Sequence, residues 1–268
     1  MNYKGVRFGQ IFSFVFAVAF LIMSLVVVHS FEFASPQSPG PDPEVINGAE
    51  VTDPSIWPAT FIFRSGAGGC TSTAVGQRVI LTAAHCIADG ATGTVQLGGA
   101  AISVRCDHHP EYGVGNSTTD FALCLTGTVM DGILFEVVGS SIAHPRIGDP
   151  VILLGYGCVK EGGHDASFGV LHTGAADVVR LPDGSDIDII SRGGAALCFG
   201  DSGGATYINL NQSGSRRNII GVNSRGDISQ YSFISATATR SFIDWALEWS
   251  GTNSVNICGL HFSAKGCR

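Results

Sequence analysis

Three observations on the sequence predict an all-β fold, built as an antiparallel barrel or sandwich. Charged residues make up only 14% of the chain while glycine occurs 36 times, which suits many short strands joined by tight turns better than long solvated helices. From Trp57 onward, β-rich runs alternate with Gly, Asn and Asp turn signals. A clear helical period is confined to one stretch near the C-terminus.

Taken in order, the runs are Thr60 to Phe63, Arg78 to Thr82, Ala101 to Arg105, Phe121 to Leu125, Val151 to Tyr156, Asn218 to Asn223 and Tyr231 to Ile234. Their β-branched and aromatic content fits a pleated, half-buried surface, and turn formers bound them. After Thr239, residues Phe242, Ile243, Trp245, Ala246 and Trp249 recur at helical spacing, and the apolar stripe they make is expected to pack on the core. A chain of 268 residues holds either one large β unit or two domains of ordinary size.

The N-terminal segment has a different character. Lys4 and Arg7 precede an uncharged, mostly apolar run from Ile11 to Val28, the pattern of an export signal. Residues 1–30 are therefore assigned to a signal peptide; the run is also long enough to act as an uncleaved anchor. Residues 31–44 carry Pro36, Pro39, Pro41 and Pro43 and suit a short extended pro-peptide.

Export makes eight cysteines a disulfide set. The expected location is secreted, periplasmic or extracellular, with no stable membrane association after signal cleavage. A formal charge of −7 lacks the basic footprint of a nucleic-acid binder, so no nucleic-acid partner is expected. His108 and His109 beside Asp107 have no Cys or carboxylate at ligand spacing, and no metal is expected. Asn116-Ser117-Thr118 and Asn211-Gln212-Ser213 are formal glycosylation acceptors on a eukaryotic secretory route.

Acyl transfer from a peptide carbonyl needs a hydroxyl nucleophile, an imidazole to take its proton, a carboxylate to orient that imidazole and backbone donors for the oxyanion. Gly200-Asp201-Ser202-Gly203-Gly204 sets a serine in a tight turn with open access to its Oγ. This segment also fits the nucleophile elbow of α/β-hydrolases, but that class places its histidine after the serine, and here only His261 follows Ser202. Upstream, His85 stands in Leu81-Thr82-Ala83-Ala84-His85-Cys86, after the apolar Val79-Ile80-Leu81. Between the two, Asp120-Phe121-Ala122-Leu123 puts a carboxylate at the start of an apolar strand, with Asp107 and Asp131 as alternatives.

With T-A-A-H-C, D-F-A-L and G-D-S-G-G in this order, the chain resembles the trypsin-like, chymotrypsin-fold serine protease family. Val45-Ile46-Asn47-Gly48 is similar to the family's mature N-terminus, and His109-Pro110-Glu111-Tyr112 to its H-P-x-Y segment. Gly155-Tyr156-Gly157 is similar to its G-W-G, and Ser224-Arg225-Gly226 to its substrate-binding strand. Arg225 in place of an aromatic, Ala205 in place of a proline and the tail beyond Trp249 depart from the pattern.

The resemblance implies two antiparallel six-stranded β-barrels with a C-terminal helix. A peptidase domain would cover 45–250, its first barrel about 45–145 with His85 and Asp120, its second about 146–250 with Ser202, and 251–268 would form a tail. It implies Ser202 as nucleophile, His85 as base and then acid, and Asp120 as the group that fixes the imidazole tautomer. The N–H groups of Gly200 and Ser202 would form the oxyanion hole, and Ala196, Ser224 and Gly226 the substrate pocket. Ala196, where an aspartate would select Lys or Arg, points to an uncharged apolar preference.

A zymogen is implied too, cut before Val45 so that the freed amino group pairs with Asp201. Peptide or protein substrates are the implied partners, and no cofactor is needed. The family pattern picks out Cys70–Cys86; Cys106–Cys124, Cys158–Cys198 and Cys258–Cys267 are the pairings proposed for the rest. Two other readings stand beside this one: an inactive protease homologue acting as a binding protein, and an esterase or lipase of the α/β-hydrolase class.

Overall fold

The computed structural model describes residues 45–97, 99–113, 118–139, 144–160, 168–209, 217–227 and 230–268. The proposed signal peptide, the pro-peptide and both glycosylation asparagines lie outside these residues. Among the described residues no helix is long and apolar enough to cross a membrane.

Thirteen strands form the body: β1 (Ala49–Glu50), β2 (Thr60–Ser65), β3 (Gly68–Gly76), β4 (Val79–Thr82), β5 (Thr92–Leu97), β6 (Ala100–His108), β7 (Ala122–Thr126), β8 (Pro150–Gly155), β9 (His172–Arg180), β10 (Asp188–Arg192), β11 (Ala205–Asn209), β12 (Arg217–Gly226) and β13 (Ser232–Ala236). One helix, α1 (Arg240–Asn253), follows. Strands β2, β3, β4, β7, β6 and β5 close into the first antiparallel barrel. Strands β8, β9, β10, β13, β12 and β11 close into the second, with β1 added along β9. This β architecture excludes the α/β-hydrolase reading, which requires a parallel sheet flanked by helices.

The strands expected from hydropathy coincide with β2, β4, β6, β7, β8, β12 and β13, within a few residues at their ends. Strands β3, β5, β9, β10 and β11 carry small or polar residues that local hydropathy does not single out. In β3, Thr71, Ser72 and Thr73 are fully buried because both faces of that strand are covered. In β5, Gly93 lies against the ring of Phe63, which fills the space of a side chain.

Phe63, Leu81, Val95, Val104 and Leu123 belong to the cluster that includes the first barrel's interior. Val151, Leu153, Val178, Ile189, Ile220 and Ile234 fill the second, and Val45 is buried among them. Burial of such side chains contributes roughly 1.5–3 kcal/mol each. Residues 127–149 connect the barrels and include Pro145; Met130, Phe135 and Val138 of this connection are buried.

Thr239 caps α1 by accepting the Phe242 N–H, as a β-region N-cap residue does. The helix lays Phe242 on Phe121 with ring centroids 4.7 Å apart, and its Trp249 Nε1 donates to Asp107 Oδ2 at 2.8 Å. It therefore supports the segment that leads into β7. The tail after Ser254 folds back on the connection: Val138 N–H donates to Cys258 O at 2.9 Å and Phe135 N–H to Gly266 O at 2.8 Å. Four disulfides are present, Cys70–Cys86, Cys106–Cys124, Cys158–Cys198 and Cys258–Cys267.

Candidate active site

The cleft between the barrels is assembled from four chain segments. His85 lies in a 3-10 turn, Ala84–Cys86, directly after β4, and Cys86 ties this turn to Cys70 on β3. Asp120 precedes β7, whose entry is fixed by Phe121 against α1 and by the His109 N–H bond to Phe121 O at 2.9 Å. Ser202 sits in the turn before β11, and Ser224 near the end of β12.

Asp120 gathers three donors. Its Oδ2 lies 2.7 Å from His85 Nδ1 and accepts the Ser224 hydroxyl at 2.6 Å, while its Oδ1 accepts the His85 backbone N–H at 2.9 Å. Burial works against ionisation of this carboxyl, but the bonds and charge of His85 and the Ser224 hydroxyl prevail and hold it below the ordinary carboxylate range. An ionised Asp120 places the proton on Nδ1 and leaves Nε2 as the imidazole's acceptor. Asp107, an alternative from the sequence, is occupied by Trp249 and Arg105.

The Ser202 turn depends on its glycines. Gly203 has φ +83, and a Cβ there would overlap Thr82 Oγ1 and Thr71 O, so the second barrel can approach the first this closely only without a side chain. The Ser202 carbonyl accepts the Thr71 N–H at 2.8 Å across that approach. The Ser202 hydroxyl donates to Ser224 O at 3.4 Å. Among the described residues, the N–H groups of Gly200 and Ser202 have no protein acceptor, a pair of open donors next to the hydroxyl.

Asp201 is fully buried behind the turn. Its Oδ1 accepts the Gly157 N–H and its Oδ2 the Cys198 N–H, both at 2.8 Å, and the Cys158–Cys198 disulfide joins the two donor segments. No cationic side chain among the described residues pairs with it. Burial outweighs the two backbone bonds and pushes its carboxyl up to about 7.

A cavity of about 580 Å³ opens on the site, and His85, Ser202, Ser224 and Gly226 lie on its lining. Ala196, expected at its floor, is fully buried and bridges to Ile46 instead of lining it. The apolar wall is formed by Ile46, Leu197 and Phe199; Ile46 stood in the Val45-Ile46-Asn47-Gly48 motif without a role in the pocket, and no local motif marked Leu197 or Phe199. Phe199 is 77% exposed and stands at the cavity beside Leu197. Arg225 also borders the cavity, stacked on Phe233 at 4.6 Å and paired with buried Asp188 at 2.5 Å.

Comparison with known proteins gives two findings. A family model described as Trypsin matches residues 45–246. Trypsin alpha-4 of Lucilia cuprina is 24% identical over 133 residues, covering 46% of this chain and 52% of that protein. The chain thus spans about half the length of the curated relative it matches.

Proposed function

Because the chain belongs to the trypsin family, we propose that it is a secreted serine endopeptidase that hydrolyses peptide bonds through an acyl-enzyme on Ser202. The observation that carries the reading is the run of contacts on His85. Its Nδ1 is held by Asp120 at 2.7 Å while its ring borders the same cavity as Ser202. In the reaction, the Ser202 hydroxyl turns from Ser224 O toward Nε2, gives up its proton there and attacks the carbonyl carbon. The imidazolium that forms is stabilised by Asp120. The N–H groups of Gly200 and Ser202 take the oxyanion, each such donor being worth about 3 kcal/mol in the transition state. His85 then protonates the leaving amine, and water repeats the sequence on the acyl-enzyme.

The zymogen reading rests on Asp201. A buried carboxyl without a cation is the natural counter-charge for an α-amino group, and Val45 is buried in the second barrel. Cleavage before Val45 would create that ammonium, and the cut after Glu44 is assigned to another protease. Residues 1–30 direct export in this scheme.

For the residue before the scissile bond we propose an uncharged apolar side chain. Ile46, Leu197 and Phe199 supply an apolar wall, Asp227 is exposed at the rim, and no buried carboxylate is among the lining residues. Burying an unpaired ammonium there would cost several kcal/mol. Arg225 does not invert the preference toward acidic residues, because Asp188 already neutralises it.

Two measurements test the proposal. A fluorophosphonate probe should label Ser202 in protein cut before Val45, and absence of label would support an inactive binding homologue. Chromogenic peptides with Phe, Leu, Ala, Glu or Arg before the scissile bond should show Phe or Leu favoured; preference for Arg would refute the pocket argument.

A further inference from the structure

Arg225 is a departure from the family pattern, and it stands one residue from a hydroxyl that touches the triad. Its guanidinium makes two directed contacts: Nη2 reaches Asp188 Oδ2 at 2.5 Å, and Nη1 donates to Ser224 Oγ at 3.3 Å. Ser224 Oγ in turn donates to Asp120 Oδ2 at 2.6 Å, and that oxygen faces His85 Nδ1. The contacts run unbroken from Asp188 through Arg225, Ser224 and Asp120 to His85, across strands β10 and β12 of one barrel and into the other.

We propose that Arg225 is a positioning residue for the triad, acting through the Ser224 hydroxyl, and that Asp188 is the counter-ion that keeps its charge from weakening the hold of His85 on a proton. A guanidinium on the oxygen side of a hydroxyl polarises its O–H and strengthens the bond that hydroxyl gives to a carboxylate. Uncompensated, the same cation would draw on the negative charge Asp120 offers the imidazolium. Asp188 is fully buried, accepts from Ser235 Oγ at 3.4 Å and aims the guanidinium from behind, while Phe233 holds its face.

Among the described residues, three other charged or titratable groups stand around this run. Asp186 stands near Asp188 and is itself paired with Arg180 at 2.6 Å, Tyr112 is close to Asp120, and Asp227 lies on the cavity rim. Burial and Asp186 raise the Asp188 carboxyl to about 6, against the pull of Arg225. The pair therefore loses its neutrality on the acid side of neutrality.

The inference rests on the endopeptidase reading, and its test separates the two. Asp188→Asn, Arg225→Met and the double variant would be made in the full chain and cut before Val45, with folding checked by circular dichroism. Two readouts follow: the acid limb of kcat/KM against pH, and the downfield proton NMR resonance of the proton between His85 Nδ1 and Asp120. Asp188→Asn should move the acid limb down by about half a pH unit and shift the resonance, and adding Arg225→Met should return both toward the parent. A pair that only supports the wall would lower activity in each variant and move neither readout, and that result overturns the proposal. The resonance needs no turnover, so an unlabelled Ser202 with a resonance that moves and returns would refute the peptidase and uphold the coupling.

Discussion

Asp120 and Asp201 are buried carboxyls in the same cleft, one serving each barrel, and their surroundings push them in opposite directions. Asp120 receives His85 twice and Ser224 once, and is held below the ordinary range. Asp201 receives two backbone N–H groups and no cation, and rises to about 7. The difference teaches where control can act. The His85–Asp120 side already has its charge partners among the described residues, and is fastened by Cys70–Cys86, Cys106–Cys124 and α1. The Ser202 side keeps a buried carboxyl without a cation among the described residues, so the proposed cut before Val45 is expected to act on the second barrel first.

The largest effects come from breaking either half outright. Ser202→Ala and His85→Ala should each lower kcat/KM on a chromogenic peptide by roughly 10⁴- to 10⁶-fold, and Asp120→Asn by about 10⁴-fold because the tautomer is then wrong. These losses should not multiply when combined, since the three groups act as a unit. Comparable turnover in Ser202→Ala would end the assignment.

A smaller effect separates the two carboxyls by pH. Asp201 has a raised folded value, so its contribution to stability is complete below about 4 and is lost as pH rises through about 7. Asp120 has a lowered one, so its contribution is present above about 4 and is lost as pH falls further. Thermal unfolding of uncut chain in a Ser202→Ala background, followed from about pH 4 to about pH 8, should show Tm falling toward the alkaline end. Asp201→Asn removes the charge while giving up one of two N–H bonds, and should flatten that fall. Asp188, raised to about 6, adds a fall of its own, so the quantity to read is the difference in slope between the parent and Asp201→Asn; cleavage before Val45 should abolish that difference, and a difference that persists after the cut would refute pairing of Asp201 with the new terminus.

Much of the proposed triad's setting was legible because each motif is a local solution to a backbone problem. Gly203 is required where the barrels meet, and His85 lies between a strand end and a disulfide, so a few consecutive residues disclose each. What links the motifs was not legible. The Ser224 to Asp120 bond spans 104 positions and Arg225 to Asp188 spans 37, and no periodicity records such pairs. The cavity wall was obscured for another reason: Leu197 and Phe199 read as ordinary apolar residues until the turn at Gly200 places them beside Ser202. Strands β3 and β9 escaped notice because Gly, Thr and Ala fill them where neighbouring backbone comes close. At Gly174 on β9 a Cβ would overlap that of Ala195.

The smallest effect is expected from Arg268→Ala, beside another buried carboxylate, Glu136, which serves as a control for Asp120 and Asp201. It lies on the connection between the barrels and is paired with Arg217 at 2.5 Å and with Arg268 of the tail at 3.3 Å. Arg217 is buried and stacked 3.7 Å over Trp57, whereas Arg268 keeps 18% of its side chain exposed and also donates to Ile56 O. Removing the buried partner, as in Arg217→Met, leaves Glu136 under-compensated and should cost about 3–5 kcal/mol. Arg268→Ala leaves Arg217 in place and water within reach, so the loss should be only about 1 kcal/mol, or ~2–4 °C in Tm. Neither residue lines the cavity beside Ser202, so kcat/KM of Arg268→Ala should match the parent. A carboxylate with two cations needs no later event to balance it, and Arg268→Ala should therefore destabilise cut and uncut chain alike. A loss confined to one form would mean that the tail takes part in activation.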